Sequence, residues 1–308
     1  MQQVKEILSY IPGGRIKESL SALLDSEPDV EEIRVRSGRP LSAVVRGNIV
    51  YLTEEGAETN TPDCGFCINR GEMNSLFRSV CENSVYAYAD EIRQGFVTIK
   101  GGHRVGFSGR AICSGGVIEG FRDISSVNIR IAREVIGSAD SLIGSVATQG
   151  RVKSTLVLSP PRVGKTTVLR DLARQLSGRG FKVGIADDRS EIAAMYRGVP
   201  SADVGVNTDV IENAPKADAV TILLRTMSPS VIITDELVTE AEAAAVCYAK
   251  GSGAAIIASV HGSSFDETLK KPALSTLFKN RVFENLILLK LAGRSPRRVT
   301  AEVRELDA

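Results

Sequence analysis

The sequence predicts an α/β protein: a P-loop (RecA-like) domain over residues 137–308, with a smaller N-terminal α+β domain over residues 1–136. Three observations predict it. The signature Ser159-Pro160-Pro161-Arg162-Val163-Gly164-Lys165-Thr166-Thr167 follows an apolar run at 155–158 and opens a segment at 168–176 with helical spacing. Further short apolar runs at 181–186, 231–234 and 254–260 alternate with helical patterns, as buried parallel strands do. The second of them closes on an acidic pair, Asp235-Glu236.

Composition narrows the class. At 308 residues the chain can bury two cores. Hydrophobic residues make up 43% and charged ones 24%, which is ordinary for a globular protein. The formal net charge of +1 supplies no bulk field toward nucleic acid or an acidic membrane. No window of ~20 apolar residues is present, so no membrane-spanning helix is expected. The polar start, Met1-Gln2-Gln3-Val4-Lys5-Glu6, has no signal-peptide core, and a cytoplasmic location is expected. Five cysteines, an odd number, suit reduced thiols better than a disulfide framework.

In chain order, residues 3–25 read as two short helices around Pro12-Gly13-Gly14. A half-buried strand follows at 32–36, then a hairpin from 41–46 and 49–52 split by Gly47-Asn48. Residues 53–70 are polar and turn-rich. Their Cys64-x-x-Cys67 would need two more ligands for zinc, with Cys81 and His103 the nearest candidates, and reads as two ordinary cysteines. A helix is predicted over 72–89, then a glycine-punctuated β region closed by a strand at 127–131. That region carries Arg104, Arg110, Arg122, Arg130 and Arg133 at strand ends, each ordinary taken singly. Ile136-Gly137 reads as the seam, followed by a helix at 138–146.

The loop at 159–167 can do specific chemistry. Successive backbone N–H groups at a helix N-terminus cradle phosphate oxygens. Lys165 adds a mobile charge for the terminal phosphates, and Thr166 offers a hydroxyl to Mg²⁺. Ser159 stands where the pattern has its first glycine; if that position needs a positive φ, the serine costs roughly 1–2 kcal/mol. Beyond the loop helix, Gly178-Arg179-Gly180 makes a stop, and the strand at 181–186 ends in Asp187-Asp188-Arg189-Ser190-Glu191. The carboxyl edge of an open parallel sheet is where ligands bind. A helix at 220–227 is stopped by Pro229. In the acidic pair, Asp235 suits Mg²⁺ and Glu236 suits activation of a water. An alanine-rich helix at 240–250 and the strand at 254–260 then bring His261-Gly262 to the same edge, where a γ-phosphate sensor would sit. A hairpin of strands at 286–291 and 299–303, turning at 293–296, ends the chain.

Taken together, the P-loop, the acidic box 187–192, Leu224-Arg225-x-Met227-x-Pro229, Asp235-Glu236 and Ser259-Val260-His261-Gly262 resemble the secretion ATPase superfamily. Within that superfamily they are most similar to the sporulation stage III AA family. The resemblance spans nearly the whole chain and is stronger from residue 150 onward. It implies a Mg-dependent ATPase that forms homo-hexamers in the mother-cell cytoplasm. Such an enzyme would be at most peripheral to a membrane and would drive a secretion-like channel with membrane-embedded partners. Carried over by position, Lys165 and Thr166 bind phosphate and Mg²⁺, Glu236 is catalytic, and Asp188, Glu191 and His261 line the site. Ser159 and Arg162 replace glycines common in the family, which keeps open a non-hydrolysing, nucleotide-gated scaffold. A nucleic-acid translocating ATPase is the third reading, opposed by the near-zero charge and the lack of an aromatic-basic stripe. The expectation extends to the N-terminal domain: ATP is expected in a cleft between the domains, with Arg110 and Arg130, or else Arg104 and Arg133, reaching the phosphates.

Overall fold

A computed structural model describes residues 2–148, 150–161, 163–262, 264–292 and 298–306, which form two compact units, Met1–Arg133 and Glu134–Ala308. Two positions read from the sequence, Arg162 and the turn at 293–296, lie outside the described residues.

The first unit is a seven-stranded antiparallel sheet with helices on one face. It opens with α1 (Gln2–Lys5), a 3-10 turn and α2 (Arg15–Ser26). Next come β1 (Val30–Arg36), β2 (Ser42–Val45), β3 (Asn48–Leu52) and the short β4 (Glu58–Thr59). Helices α3 (Arg70–Val80) and α4 (Ala89–Arg93) lead to β5 (Phe96–Ile99), β6 (His103–Ser114) and β7 (Val117–Arg130). Sheet order is β4-β3-β2-β1-β7-β6-β5. Alternation decides the faces: Ile33, Val35, Val105, Val127 and Ile129 point to the core, which Leu20 and Leu23 of α2 and Met73 and Leu76 of α3 complete.

Three sequence expectations change here. The first hairpin turns at Arg46-Gly47, both at positive φ (49° and 79°), so Asn48 already belongs to β3. The helix expected over 72–89 breaks after Val80, because Glu82 and Asn83 take left-handed φ of 48° and 62°. Arg70 begins it because Asn69 and Glu72 form a reciprocal capping box. The closing strand expected at 127–131 is the end of the 14-residue β7, paired along β6 in one long hairpin turning at Gly115-Gly116.

The second unit begins with turns and a single helical turn, α5 (Ile143–Val146), where a helix over 138–146 was expected. Ser138 and Ala139 are instead drawn to the P-loop helix, Ser138 Oγ donating to Thr167 O and Ala139 N to Asp171 Oδ2. A small ribbon, β8 (Ala147–Thr148) and β9 (Arg151–Val152), precedes β10 (Thr155–Ser159), α6 (Lys165–Gly178) and β11 (Val183–Asp187). A second ribbon, β12 (Met195–Tyr196) and β13 (Val199–Pro200), leads to β14 (Thr208–Glu212), a strand the sequence reading did not contain. Then follow α7 (Lys216–Met227), β15 (Val231–Glu236), α8 (Glu240–Gly251), β16 (Ala255–His261), α9 (Phe265–Leu269), α10 (Pro272–Lys279), β17 (Asn285–Ala292) and β18 (Arg298–Glu305).

The main sheet runs β14-β11-β15-β16-β10-β17-β18, parallel throughout except for the final hairpin. Both faces are covered, which is why these strands read as continuous apolar runs. Val157, Ile185, Ile233 and Ile257 face one core with Leu169, Leu172 and Leu176 of α6. Their neighbours Leu156, Ala186, Ile232 and Ile256 face the other, with Leu223 of α7, Val246 of α8 and Leu277 of α10. One consequence of this layering positions the site: the carboxyl ends of β10, β11, β15 and β16 lie along one edge.

Candidate nucleotide site

Strand β10 delivers the loop to that edge. Ser159 is its last residue, opposite His261 in the register with β16, and is not among the residues at positive φ. Its Oγ donates to Pro160 O at 2.8 Å and its carbonyl accepts Gly262 N at 3.2 Å. The backbone strain expected at this position is therefore absent, because the serine finishes an extended strand before the loop turns. The turn itself falls on Gly164, whose φ of 102° suits glycine, and Gly164 caps α6. Pro160 and Pro161 are exposed and Val163 is buried among the α6-face residues. The first-turn N–H groups of α6, on Lys165, Thr166 and Thr167, have no intrahelical acceptor, which is the donor arrangement phosphates use.

Lys165 is buried, 7% exposed, and its Nζ donates to His261 Nδ1 at 2.6 Å. The same Nζ lies 3.2 Å from His261 Nε2, and that nitrogen in turn lies 3.6 Å from Glu236 Oε2. Three residues from three separate elements thus form a chain, Lys165–His261–Glu236. Burial pulls the Lys165 ammonium below the ordinary lysine value, opposed by the charges of Glu236 and Glu191. Gly262 is held tightly here: a Cβ would come within 2.7 Å of Thr268 Oγ1 and 2.9 Å of Leu158 Cδ1.

The acidic pair owes its placement to a bulge. Thr234 pairs with Ala258 and Glu236 with Ser259, leaving Asp235 as an extra residue. A regular strand would send two consecutive carboxylates to opposite faces; the bulge re-aims them. Asp235 is buried, and Lys216 Nζ approaches its Oδ1 at 2.7 Å without hydrogen-bond alignment. Burial pushes the Asp235 carboxyl up to about 6, with Lys216 opposing and Asp187 and Asp188 adding to the rise.

On β11 the carboxylates divide their work. Asp187 is fully buried and accepts from Glu191 N, Ile192 N and Ala193 N at 2.9, 3.0 and 2.9 Å, so it shapes the loop. Asp188 and Glu191 are exposed on it. From α6, Arg170 pins the loop further, donating to Ile192 O and Glu191 O, each at 2.6 Å. The first-unit arginines occupy their own sheet. Arg130 lies 3.3 Å from Glu32, Arg104 stacks 3.5 Å over the Phe96 ring, and Arg133 reaches Asp29 and the carbonyls of Pro28 and Val30. Arg110 is exposed, directly across the hairpin from Arg122. Of the cysteines read from the sequence, Cys64 and Cys67 are exposed and Cys81 is buried.

The family described as "Sporulation stage III, protein AA" matches residues 1–304. The chain belongs to that family. Stage III sporulation protein AA of Bacillus subtilis (strain 168) is 38% identical over 296 residues, covering 94% of this chain and 92% of that protein. Two solved structures share the fold at low identity. The Legionella pneumophila ATPase DotB superposes with a TM-score of 0.60 at 18% identity, covering 94% of this chain and 78% of its own. The pilus retraction motor PilT with bound ADP gives 0.62 at 15%, covering 95% and 82%. The RecA-like P-loop fold of secretion ATPases is thus the fold of this sporulation protein, and among its described residues no helix is long and apolar enough to cross a membrane.

Two lysines escaped the sequence reading. Lys216, at the first position of α7, was outside the helix expected from residue 220. Lys271 donates to His261 O at 2.7 Å from the start of α10. Neither lies in a recognisable motif, and only the sheet topology brings them to the edge.

A first expectation concerns Ser159. Ser159→Gly should change neither ATP affinity nor turnover by more than a few-fold, since an extended residue gains nothing from glycine's freedom. A several-fold rise in turnover, measured at saturating ATP, would restore the strained-loop reading.

A second follows from Asp235. A cation needs the ionised carboxylate, so nucleotide-dependent Mg²⁺ affinity should hold above about pH 6 and fall about tenfold per unit below it. Folding carries the opposite sign: a carboxyl raised in the fold stabilises it at acid pH, and that contribution is lost as pH rises toward about 6. Calorimetric Mg²⁺ titrations between pH 5 and 8, pH values chosen to bracket that midpoint, decide it; a flat profile excludes Asp235 as a ligand.

Proposed function

We propose that this protein hydrolyses ATP with Mg²⁺ and powers a secretion-like channel assembled during sporulation. One observation carries the reading: the P-loop lysine, a histidine and a bulged acidic pair converge from α6, β16 and β15 at one sheet edge. Lys165 supplies charge to the terminal phosphates, and the loop N–H groups at 164–167 hold their oxygens. Glu236 accepts the proton of the attacking water, with His261 orienting its carboxylate. Asp188 and Glu191 stand on the neighbouring loop, where they can order water shells around a cation.

The metal fits the residues present. Asp235 Oδ1 is a buried carboxylate oxygen without an aligned donor, and Thr166 is placed by the first turn of α6. When bound, Mg²⁺ neutralises charge on the phosphates. Among the described residues no three His, Cys, Asp or Glu could hold a metal alone, and Mg²⁺ shared between one or two carboxylates and phosphates requires no such cluster.

Homo-hexamers, membrane-embedded partners of the channel and a mother-cell cytoplasmic site are part of the same proposal. They are supported by the family membership and by the secretion-motor fold. Steady-state ATPase assays of the full chain, with sizing runs with and without nucleotide, test it. Mg-dependent turnover and a nucleotide-stabilised oligomer are expected. Tight ATP binding without turnover would favour a nucleotide-gated scaffold, and stimulation by DNA or RNA would favour a nucleic-acid motor.

A further inference from the structure

Lys216 is 6% exposed at the first position of α7. Lysines are rarely this buried without a partner. The helix gives it no reason to be there, since a cation in the first turn opposes the helix dipole. Its reason lies in the carboxylates. Nζ stands 2.7 Å from Asp235 Oδ1 and 3.8 Å from Glu242 Oε1, and it donates to Glu236 O. Asp235 lies beside Asp187 and Asp188 as well, so the edge concentrates negative charge that burial makes costly unless it is compensated. The strand before α7 is tied to the same loop: Ser190 Oγ donates to Glu212 Oε2 at 2.5 Å, at the end of β14.

We propose that Lys216 is a tethered counter-cation of the Asp235–Glu236 pair, which a divalent cation displaces when it binds. The inference rests on the metal-assisted reading above. A compact ammonium on a flexible stem can compensate one carboxylate and then withdraw. It cannot share Asp235 Oδ1 with a doubly charged ion at contact distance without strong repulsion. Lys216 therefore sets the cation affinity of the nucleotide-free protein and keeps it low. Its role is positional: it holds Asp235 and the Glu236 backbone and touches no reacting atom.

The test is Mn²⁺ titration of the nucleotide-free full chain, read by the EPR signal of free Mn²⁺. Lys216→Met and Lys216→Gln should bind Mn²⁺ at least about tenfold more tightly than wild type, and Lys216→Arg should match it. Lys216→Gln keeps a donor for Glu236 O and serves if the methionine variant fails to fold. A measurement on the wild type stands beside them: acylation of Lys216, read by mass spectrometry, should rise as Mn²⁺ is added. Equal or weaker Mn²⁺ binding in the neutral variants overturns the proposal, as does acylation indifferent to Mn²⁺. No Mn²⁺ binding by any nucleotide-free form overturns the proposal, whereas the metal-assisted reading falls only if Mn²⁺ also fails to bind in the presence of ATP.

Discussion

Lys165→Ala is expected to abolish ATP binding, weakening it by at least about 100-fold. The side chain is the cation that opens α6, and its hydrogen-bond partner within the site is an imidazole rather than a carboxylate. That arrangement leaves its charge available to a phosphate: exchanging a His261 nitrogen for a phosphate oxygen gives the ammonium an anionic acceptor. The alanine variant loses this charge-assisted bond, while the loop N–H groups remain. Titration with a fluorescent ATP analogue measures the loss. Affinity within a few-fold of wild type would remove Lys165 from the site.

Glu236→Gln should separate binding from chemistry. The amide keeps the size of the carboxylate and the neighbour His261, so ATP affinity stays within a few-fold of wild type. It cannot accept a proton from water, and turnover falls by about 10²–10⁴. Bound nucleotide should then be recovered as ATP rather than ADP after gel filtration. Equal loss of affinity in Lys165→Ala and Glu236→Gln would refute the division of labour between phosphate charge and water activation.

Much of the second unit was legible because its signals are local. A strand buried on both faces reads as an apolar run, and β10, β15 and β16 fall where those runs lie. Glycine at the left-handed position before α6 and the Asp235-Glu236 dipeptide are equally local. What stayed hidden depends on distant partners. Strand β14 is half-buried or exposed throughout, lies on an outer edge of the sheet and lacks an apolar run. The helix expected over 138–146 dissolved because Asp171 and Thr167 of α6 capture its first residues. Lys216 could have been suspected from one signal only, a lysine directly after Pro215 at a helix start, where cations are unfavourable. In the first unit, the break after Val80 rests on left-handed Glu82 and Asn83, and glutamate gives little warning of that conformation.

The bulge in β15 makes the spacing of this site intolerant of a single deletion. Removing one residue from the segment 231–234 would let the strand re-pair in regular alternation with β16. One of the two carboxylates would then turn into an apolar layer, against Ile257 on one side of the sheet or Ala258 and Val260 on the other. The shortened chain would keep every residue of the motif in its original order and lose both the cation-compensating pair and a share of its folding stability.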